Sequence, residues 1–371
     1  MLKRFIKKEA VLCISLCAAL ISMIFVPPCA GYLDYIDWST LGLLFCLMAT
    51  VQGFGSVGAF ARLSGALTKR AGNTRTLGAL LSLMCFFLAM LVTNDVALLT
   101  LVPVTISLFS GRDGVLIRTV ILETAAANLG SMATPVGNPQ NLYIYSHYNM
   151  PIGEFFGVTL LPTVFSLAIL AASVLLIPSE RVGESDAKQE AGSAVAVPKL
   201  KTLIFCVMAA LCLCTVVRVL DWRICLAAVV ICVLAADFRL LARVDWALLG
   251  TFICFFVFVG NISAIPAVRE IIGGMVGGRE MLVGAALSQV ISNVPCAVML
   301  SEFTENAGQL MLGVDIGGMG TLIASLASLI SFKLYSGAPG AHKGRYFAEF
   351  TVYNFAVLAI LLALQSLVAL A

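Results

Sequence analysis

Charge is scarce in this chain. Only 12% of its 371 residues are Asp, Glu, Lys or Arg, about half the ~25% of an ordinary soluble domain. Histidine occurs twice and tryptophan three times. With so few charges the chain has neither the basic face of a nucleic-acid binder nor the polarity of a disordered protein. The sequences H-E-x-x-H, G-x-S-x-G and Walker A are absent, so zinc-protease, serine-hydrolase and stand-alone ATPase chemistry lack their residues. No enzymatic activity and no organic cofactor are expected. Cysteine is plentiful, with twelve residues, but without ligand spacing. Eleven lie in apolar runs as small fillers, and Cys29 alone falls in a candidate external loop. Cys212 and Cys214 are two apart, so they do not share a helix face, and no histidine is near them. What fills the chain is apolar: 60% of the residues, with a mean hydropathy of +1.02. A soluble fold cannot hide that much. The expectation is an all-α polytopic membrane protein.

Spanning helices need about 20 apolar residues. They are expected near 10–26, 39–61, 115–147, 155–177, 202–219, 223–238, 245–265, 307–333 and 346–370. Two further apolar stretches, 77–110 and 281–301, break in the middle at a polar knot and read as re-entrant hairpins. The one long polar stretch, 178–201, reads as a linker between a first half (1–177) and a second (202–371). The N-terminal segment has basic flanks and a short apolar run, as signal peptides do. No A-x-A-type site follows and Pro27-Pro28 intervenes, so it reads as an uncleaved first helix. With the N-terminus inside, all but four of the 23 Lys and Arg residues fall on the cytoplasmic side. Arg218, Arg223, Arg269 and Arg279 are the exceptions. The bias fixes a cytoplasmic-membrane protein with its N-terminus inside and its C-terminus outside.

Three pairs of segments match in order. Asp37-Trp38-x-x-Leu41-Gly42 matches Asp245-Trp246-x-x-Leu249-Gly250. Thr93-Asn94 matches Ser292-Asn293. Asn128-Leu-Gly130-x-Met132-x-Thr134 matches Asp315-Ile-Gly317-x-Met319-x-Thr321, in a register that continues to Leu142 and Leu329. An odd number of spans separates the two Asp-Trp helices, so the repeat is inverted. Inverted repeats with interrupted helices mark secondary transporters.

The candidate chemistry lies in the interruptions. Thr93-Asn94-Asp95 sits in the middle of an apolar stretch, where it is costly in lipid unless it faces a cavity. Ser292-Asn293-Val294-Pro295 repeats it, and Pro295 disfavours helical geometry at Val294. The alternative is two helix–helix contacts held by asparagine. In the long span 115–147, Pro135, Gly137 and Pro139 break the backbone ladder. Carbonyl ends before such a gap suit a cation such as Na⁺, and N–H ends after it suit an anion. Ser131, Thr134, Asn138, Gln140 and Asn141 supply neutral ligands of both kinds. In the second copy, Gly317, Gly318 and Gly320 open the helix, with Thr321 and Ser325 beside them, and Asp315 replaces Asn128. Asp95, Glu123 and Asp315 are the intramembrane acids. Glu123 reads either as a proton relay or as an interfacial residue near Arg118. His147 and His342 read as loop or interface residues.

This pattern resembles the ion transporter superfamily: divalent-anion/sodium symporters, citrate transporters, arsenite permeases and one group of sodium/proton antiporters. Thr93-Asn94-Asp95 with Val102-Pro103, and Asn128-Leu-Gly130 through Thr134-Pro135-x-Gly137-Asn138-Pro139-x-Asn141, carry the likeness, which extends over roughly 35–370. The resemblance implies an inverted-repeat transporter with about nine spanning helices, two hairpins and two unwound helices around a midplane site. It also implies elevator-like movement and often a homodimer. Dicarboxylate members carry Ser-Asn-Thr at each hairpin tip, binding Na⁺ and substrate carboxylates. Here the triplets are Thr-Asn-Asp and Ser-Asn-Val. A fixed carboxylate beside an anion site repels a di-anion unless it is protonated or holds a cation. The first repeat is also one helix shorter than the second.

The expected function is secondary active transport of a small anion, a carboxylate or an inorganic oxyanion, coupled to Na⁺ or H⁺. Thr93, Asn94, Asn138, Gln140, Asn141, Ser292, Asn293, Thr321 and Ser325 are expected to bind substrate. Asp95, Asn128, Gly130, Ser131, Thr134, Asp315 and Gly317 are expected to hold the coupling ion. Pro135, Gly137, Pro139, Pro295, Gly318 and Gly320 are the helix breaks. Alternatives are a Na⁺/H⁺ antiporter, in which the acids carry the reaction, an arsenite-type efflux permease, which can be the membrane subunit of a pump, and a passive channel.

Overall fold

The computed structural model describes residues 9–29, 31–58, 72–181 and 199–370. Lys3, Arg4, Lys7, Lys8, Arg62, Lys69, Arg70 and most of the 178–201 linker lie outside the described residues. Those described are helical, apart from connections and one isolated bridge between Asn73 and Arg181. The first part holds α1 (Ala10–Phe25), α2 (Trp38–Ser56), α3 (Thr74–Leu91), α4 (Asn94–Leu108), α5 (Asp113–Ser131), α6 (Pro139–His147) and α7 (Ile152–Ser173). After the linker come α8 (Lys199–Val216), α9 (Trp222–Asp237), α10 (Trp246–Ser263), α11 (Pro266–Val276), α12 (Glu280–Ile291) and α13 (Asn293–Ser301). The chain ends with α14 (Ala307–Ile316), α15 (Leu326–Ser336) and α16 (Lys343–Leu370).

Among the described residues, seven helices are long and apolar enough to cross a membrane, or up to eight if the bent pair α11–α12 is one span. The difference from nine has a simple origin. Among the halves of the broken helices, α6, α14 and α15 are too short and α5, at 19 residues, is not apolar enough; α1 is short, and α3 qualifies although it packs back against α4. The sequence did not suggest α11, which meets α12 at 110°.

The helices pack as two bodies. In one, α1 lies on α10 while α2 lies on α8 and α9. In the other, α3 and α4 clasp α5, and α12 and α13 clasp α14. Helices α7, α15 and α16 complete that second body. It is also cross-laced: α4 packs on α15 and α13 packs on α6, so each folded-back pair leans on the broken helix of the other half. The main contacts between the bodies are α2 with α6 and α10 with α13.

Helices α2 and α10 begin alike. The Asp37 carboxylate accepts from the Thr40 amide at 3.0 Å, and that of Asp245 accepts from Leu248 at 2.9 Å. Each satisfies a free N–H of the first turn. The Trp38 indole donates back to the Leu33 carbonyl and the Trp246 indole to that of Leu241. The two helices are antiparallel. A cavity of about 270 Å³ is lined by Asp37 from the start of α2 and by Gly260 and Ser263 from the end of α10. A smaller one of about 100 Å³ is lined by Gln52 from the end of α2 and by Asp245 from the start of α10.

Candidate functional site

The folded-back pairs α3–α4 and α12–α13 are fastened to the broken helices by three matched contacts. At the tips, the Asn94 backbone N–H donates to the Gly137 carbonyl at 3.1 Å, and that of Asn293 donates to Ala324 at 2.9 Å. One turn earlier, the Thr134 hydroxyl donates to the Met90 carbonyl at 2.6 Å, and that of Thr321 to Gln289 at 3.0 Å. Deeper still, glycine allows backbone to touch backbone. A Cβ on Gly130 would sit 2.2 Å from the Phe86 carbonyl oxygen, and one on Gly317 would sit 2.8 Å from the Ala285 Cα. These contacts follow the register read from the sequence: Gly130 with Gly317, Thr134 with Thr321 and Gly137 with Ala324 share one offset, as do Phe86 with Ala285, Met90 with Gln289 and Asn94 with Asn293.

Both helix breaks are built by capping. Helix α5 ends at Ser131, and the chain passes Pro135 and Gly137 before Asn138 restarts it. The Asn138 side chain accepts from the Asn141 amide at 2.8 Å, and Pro139 takes the first helical position, where no donor is required. Helix α14 ends at Ile316, and Gly317, Gly318 and Gly320 carry the chain to Ser325. Ser325 then caps α15 through the Ala327 amide at 3.2 Å. As a result the N-terminal ends of α4, α6, α13 and α15 gather in one buried region, with the carbonyl ends of α5 and α14 close by.

Asn128 is the hub of that region. Its side-chain oxygen accepts from the Asn94 amide at 3.3 Å and the Ser325 hydroxyl at 2.9 Å. Its nitrogen donates to Ser328 at 3.2 Å and towards the Gly318 carbonyl at 3.5 Å. One asparagine thus ties a tip of the first half to both sides of the second half's break. Asp315 ties the halves the other way. One carboxylate oxygen accepts from the Asn138 amide at 3.2 Å and the Gln140 amide at 3.3 Å. Asn138 also donates to the Ser131 hydroxyl, and Asn141 to the Met132 carbonyl. The structure therefore brings Asn94, Asn128, Ser131, Asn138, Gln140, Asn141, Asp315 and Ser325 into one network. Thr134 and Thr321 point away from its centre, held by the folded-back pairs.

Thr93 and Asp95 face elsewhere. Both line the 100 Å³ cavity between the bodies, with Gln52, Asn138 and Asp245. Asp95 caps no neighbour, and its own amide donates to the Asn94 side chain at 2.9 Å.

The second half departs from the first in two ways. Gln289 fills its break: the side-chain amide donates to the Gly317 carbonyl at 2.8 Å and the Met319 carbonyl at 3.0 Å, while its oxygen accepts from the Thr321 amide. Its counterpart, Met90, offers no such group. The tip also turns differently. Val294 is helical and Pro295 lies within the first turn of α13, where a missing donor costs nothing. The turn is made instead by Ser292, whose φ is +74°. Pro295 is thus not the break that was expected. Ser292 also reaches the Ala324 carbonyl at 3.5 Å, and the Asn293 side chain lies against Gly318.

Glu123 is fully buried, with the Thr105 hydroxyl donating to it at 2.6 Å. It does not pair with Arg118, which meets Glu349 instead, so the interfacial reading of Glu123 fails. His147 lines the 270 Å³ cavity near Glu302, and His342 pairs with Asp113 at 2.9 Å. Sequence reasoning missed Gln289, Gln52 and Thr105 as site residues, and took Asp245 only as a marker of the repeat. For Gln289 the signal was present: a lone amide inside an apolar arm, three residues before a polar tip.

A family model described as citrate transporter matches residues 1–311. The chain is 31% identical over 333 residues to the inner membrane protein YbiR of Escherichia coli, covering 87% of this chain and 85% of that protein. It is also 31% identical over 310 residues to an uncharacterized transporter of Methanocaldococcus jannaschii, covering 81% of this chain and 82% of that one. A shorter match, 26% over 141 residues, is to a Dictyostelium discoideum protein bearing the name transporter arsB, covering 38% of this chain and 25% of that protein. With most of its length matched in this way, the chain belongs to the citrate transporter family of membrane transporters.

Proposed function

We propose that the protein is a secondary active carrier of a small anion, a carboxylate or an inorganic oxyanion, coupled to Na⁺ or H⁺. One observation carries this reading. Four helix N-termini, two from the folded-back tips and two from the broken helices, converge on the network around Asn128. Aligned N–H groups and helix dipoles favour negative charge there. Asp315 already faces the N-terminus of α6, so the solute is received mainly by the tips at Asn94 and Ser292-Asn293 and by the Ser325 end of α15. The carbonyl end of α5, with Ser131, holds the coupling cation where one is used.

The two bodies supply the movement. α3–α7 and α12–α16 carry the network, with α3–α4 and α12–α13 acting as re-entrant hairpins. α1, α2 and α8–α10 form the fixed part. The matched staples and the antiparallel α2 and α10 support an inverted repeat, whose halves exchange shapes to open the site to each side in turn. In this reading the chain lies in the cytoplasmic membrane with its N-terminus inside and its C-terminus outside, and two copies pair through the fixed part.

A Na⁺/H⁺ antiporter is the second reading, favoured by Asp95 and Asp245 sharing one cavity. Proteoliposomes separate the two. Counterflow of labelled citrate or an inorganic oxyanion supports anion transport. Na⁺-driven dequenching of a trapped pH dye with no anion present supports the antiporter and removes the first reading.

A further inference from the structure

We infer that Glu123 is a proton-binding site of the transport cycle. The inference rests on the carrier reading above and names the group that takes up and releases a proton within it. Three observations on the page point to it.

The first is isolation. Glu123 lies in the middle of α5 with no solvent exposure, and among the described residues no lysine, arginine or histidine pairs with it. The groups facing it are the Thr105 hydroxyl from α4, the Cys85 thiol from α3, and the Tyr346 phenol from α16. None of these supplies a positive charge. The second is incomplete bonding. Thr105 donates to Oε1, while Oε2 is buried with no partner among the described residues. An ionised carboxylate needs donors at both oxygens or a counter-ion when taken out of water, and this one has a single neutral donor. The neutral acid is the form this setting accepts.

The third is location. Thr105 belongs to the outgoing arm of the first folded-back pair, and Glu123 to the broken helix that the pair clasps, between one and two turns from Asn128. Any shift of α4 along α5 changes both the hydrogen bond to Oε1 and the access of water to Oε2. Loss of the proton breaks the carboxyl O–H bond, passes H⁺ to water and leaves a carboxylate. That charge is tolerated only when the arm has moved enough to hydrate it. The other two acids lack this setting: Asp315 holds two amide donors from the facing half, and Asp95 lines the 100 Å³ cavity between the bodies.

The test uses the full-length protein in lipid nanodiscs and proteoliposomes. Glu123→Gln keeps the shape and the Thr105 bond while removing the proton site. Infrared difference spectra taken across a pH step are expected to show a protonated-carboxyl C=O band in the wild type that is missing from Glu123→Gln. With citrate as the probe, the variant is expected to retain counterflow of labelled against unlabelled citrate and to lose accumulation driven by an imposed pH gradient. An unchanged carboxyl band in the variant, or unchanged pH-driven accumulation, overturns the inference. Glu123→Ala with Thr105→Val serves as a second variant if the first folds poorly, read by the same band. If the wild type carries no citrate at all, the anion reading fails on that probe, while the infrared band still decides whether Glu123 binds a proton.

Discussion

The guanidinium of Arg218 donates to the Tyr145 carbonyl at 3.1 Å and lies 4.8 Å from the centroid of the same residue's ring. The Tyr145 hydroxyl returns a bond to the Val216 carbonyl at 2.9 Å, and Arg218 also reaches the Asn149 carbonyl at 2.9 Å. Ser39 and Ser146 meet nearby at 3.2 Å. These bonds gather at one end of the seam between the bodies, where the carbonyl end of α6 is gripped by the turn between α8 and α9. The cavity with Asp95 and Asp245 occupies another part of the seam. Movement of one body past the other has to release this grip.

Joining the bodies at the grip should therefore stop transport. Cysteines placed at Ser39 and Ser146, in a background lacking the twelve native ones, are expected to cross-link on oxidation, with flux lost and then restored by a reductant. Full flux through the cross-linked protein would show that the seam does not move.

Asn128 should be more sensitive than its position in an ordinary helix suggests. Asn128→Ala leaves Asn94, Ser325 and Ser328 without their shared partner, at about 1–3 kcal/mol for each buried group left unpaired. Transport should be abolished, and thermal unfolding in detergent should move down. Asn94→Ala and Asn293→Ala should also abolish transport but keep membrane insertion. Normal flux in either tip variant would remove the tips from the site.

Gly130→Ala forces a methyl group against the Phe86 carbonyl, and backbone is less able to yield than a side chain. Overpacking of this kind costs about 1–3 kcal/mol. The expected result is a lower melting temperature with flux lost in proportion. A silent Gly130→Ala would mean that α3 is free to move away from α5.

The two breaks should differ in their response to cations. The Gln289 amide already occupies the carbonyls of Gly317 and Met319, while at the first break the Asn141 amide reaches the Met132 carbonyl alone. Gln289→Ala is expected to add Na⁺-dependent thermal stabilisation that the native protein lacks at that break. An identical Na⁺ response in both proteins would argue that these carbonyls never face a cation.

Asp95→Asn should change cation or pH dependence more than substrate affinity, because Asp95 faces the seam cavity and not the Asn128 network. Flux measured across a range of Na⁺ and pH checks this, and an unaltered dependence would leave Asp95 as a cavity-lining residue alone.

Much of this arrangement was legible in the sequence because polar residues inside apolar runs have few structural uses. Thr93-Asn94, Asn138-Pro139 and the glycines after Asp315 each mark a place where a helix stops, and the repeat register correctly paired Thr134 with Thr321. What the sequence did not show is where side chains turn once a helix has stopped. Thr134 and Thr321 read as ligands but bind hairpin carbonyls. Asp315 read as an ion site but accepts two amides from the facing half. The turn at Ser292 was hidden because a positive φ leaves no compositional trace in serine, while the nearby proline drew attention to Val294. Gln289 was passed over because a single amide in an apolar arm looks like a packing residue until the break it fills is seen in space.

Trp38, Trp222 and Trp246 are all the tryptophans the chain has, and all three ride on the body built from α1, α2 and α8–α10. The tryptophan emission of the protein therefore comes from one side of the seam. A solute that resettles the other body changes that emission only by altering what slides past the indoles. A single tryptophan added to α4 or α13 would give the silent half its own optical signal.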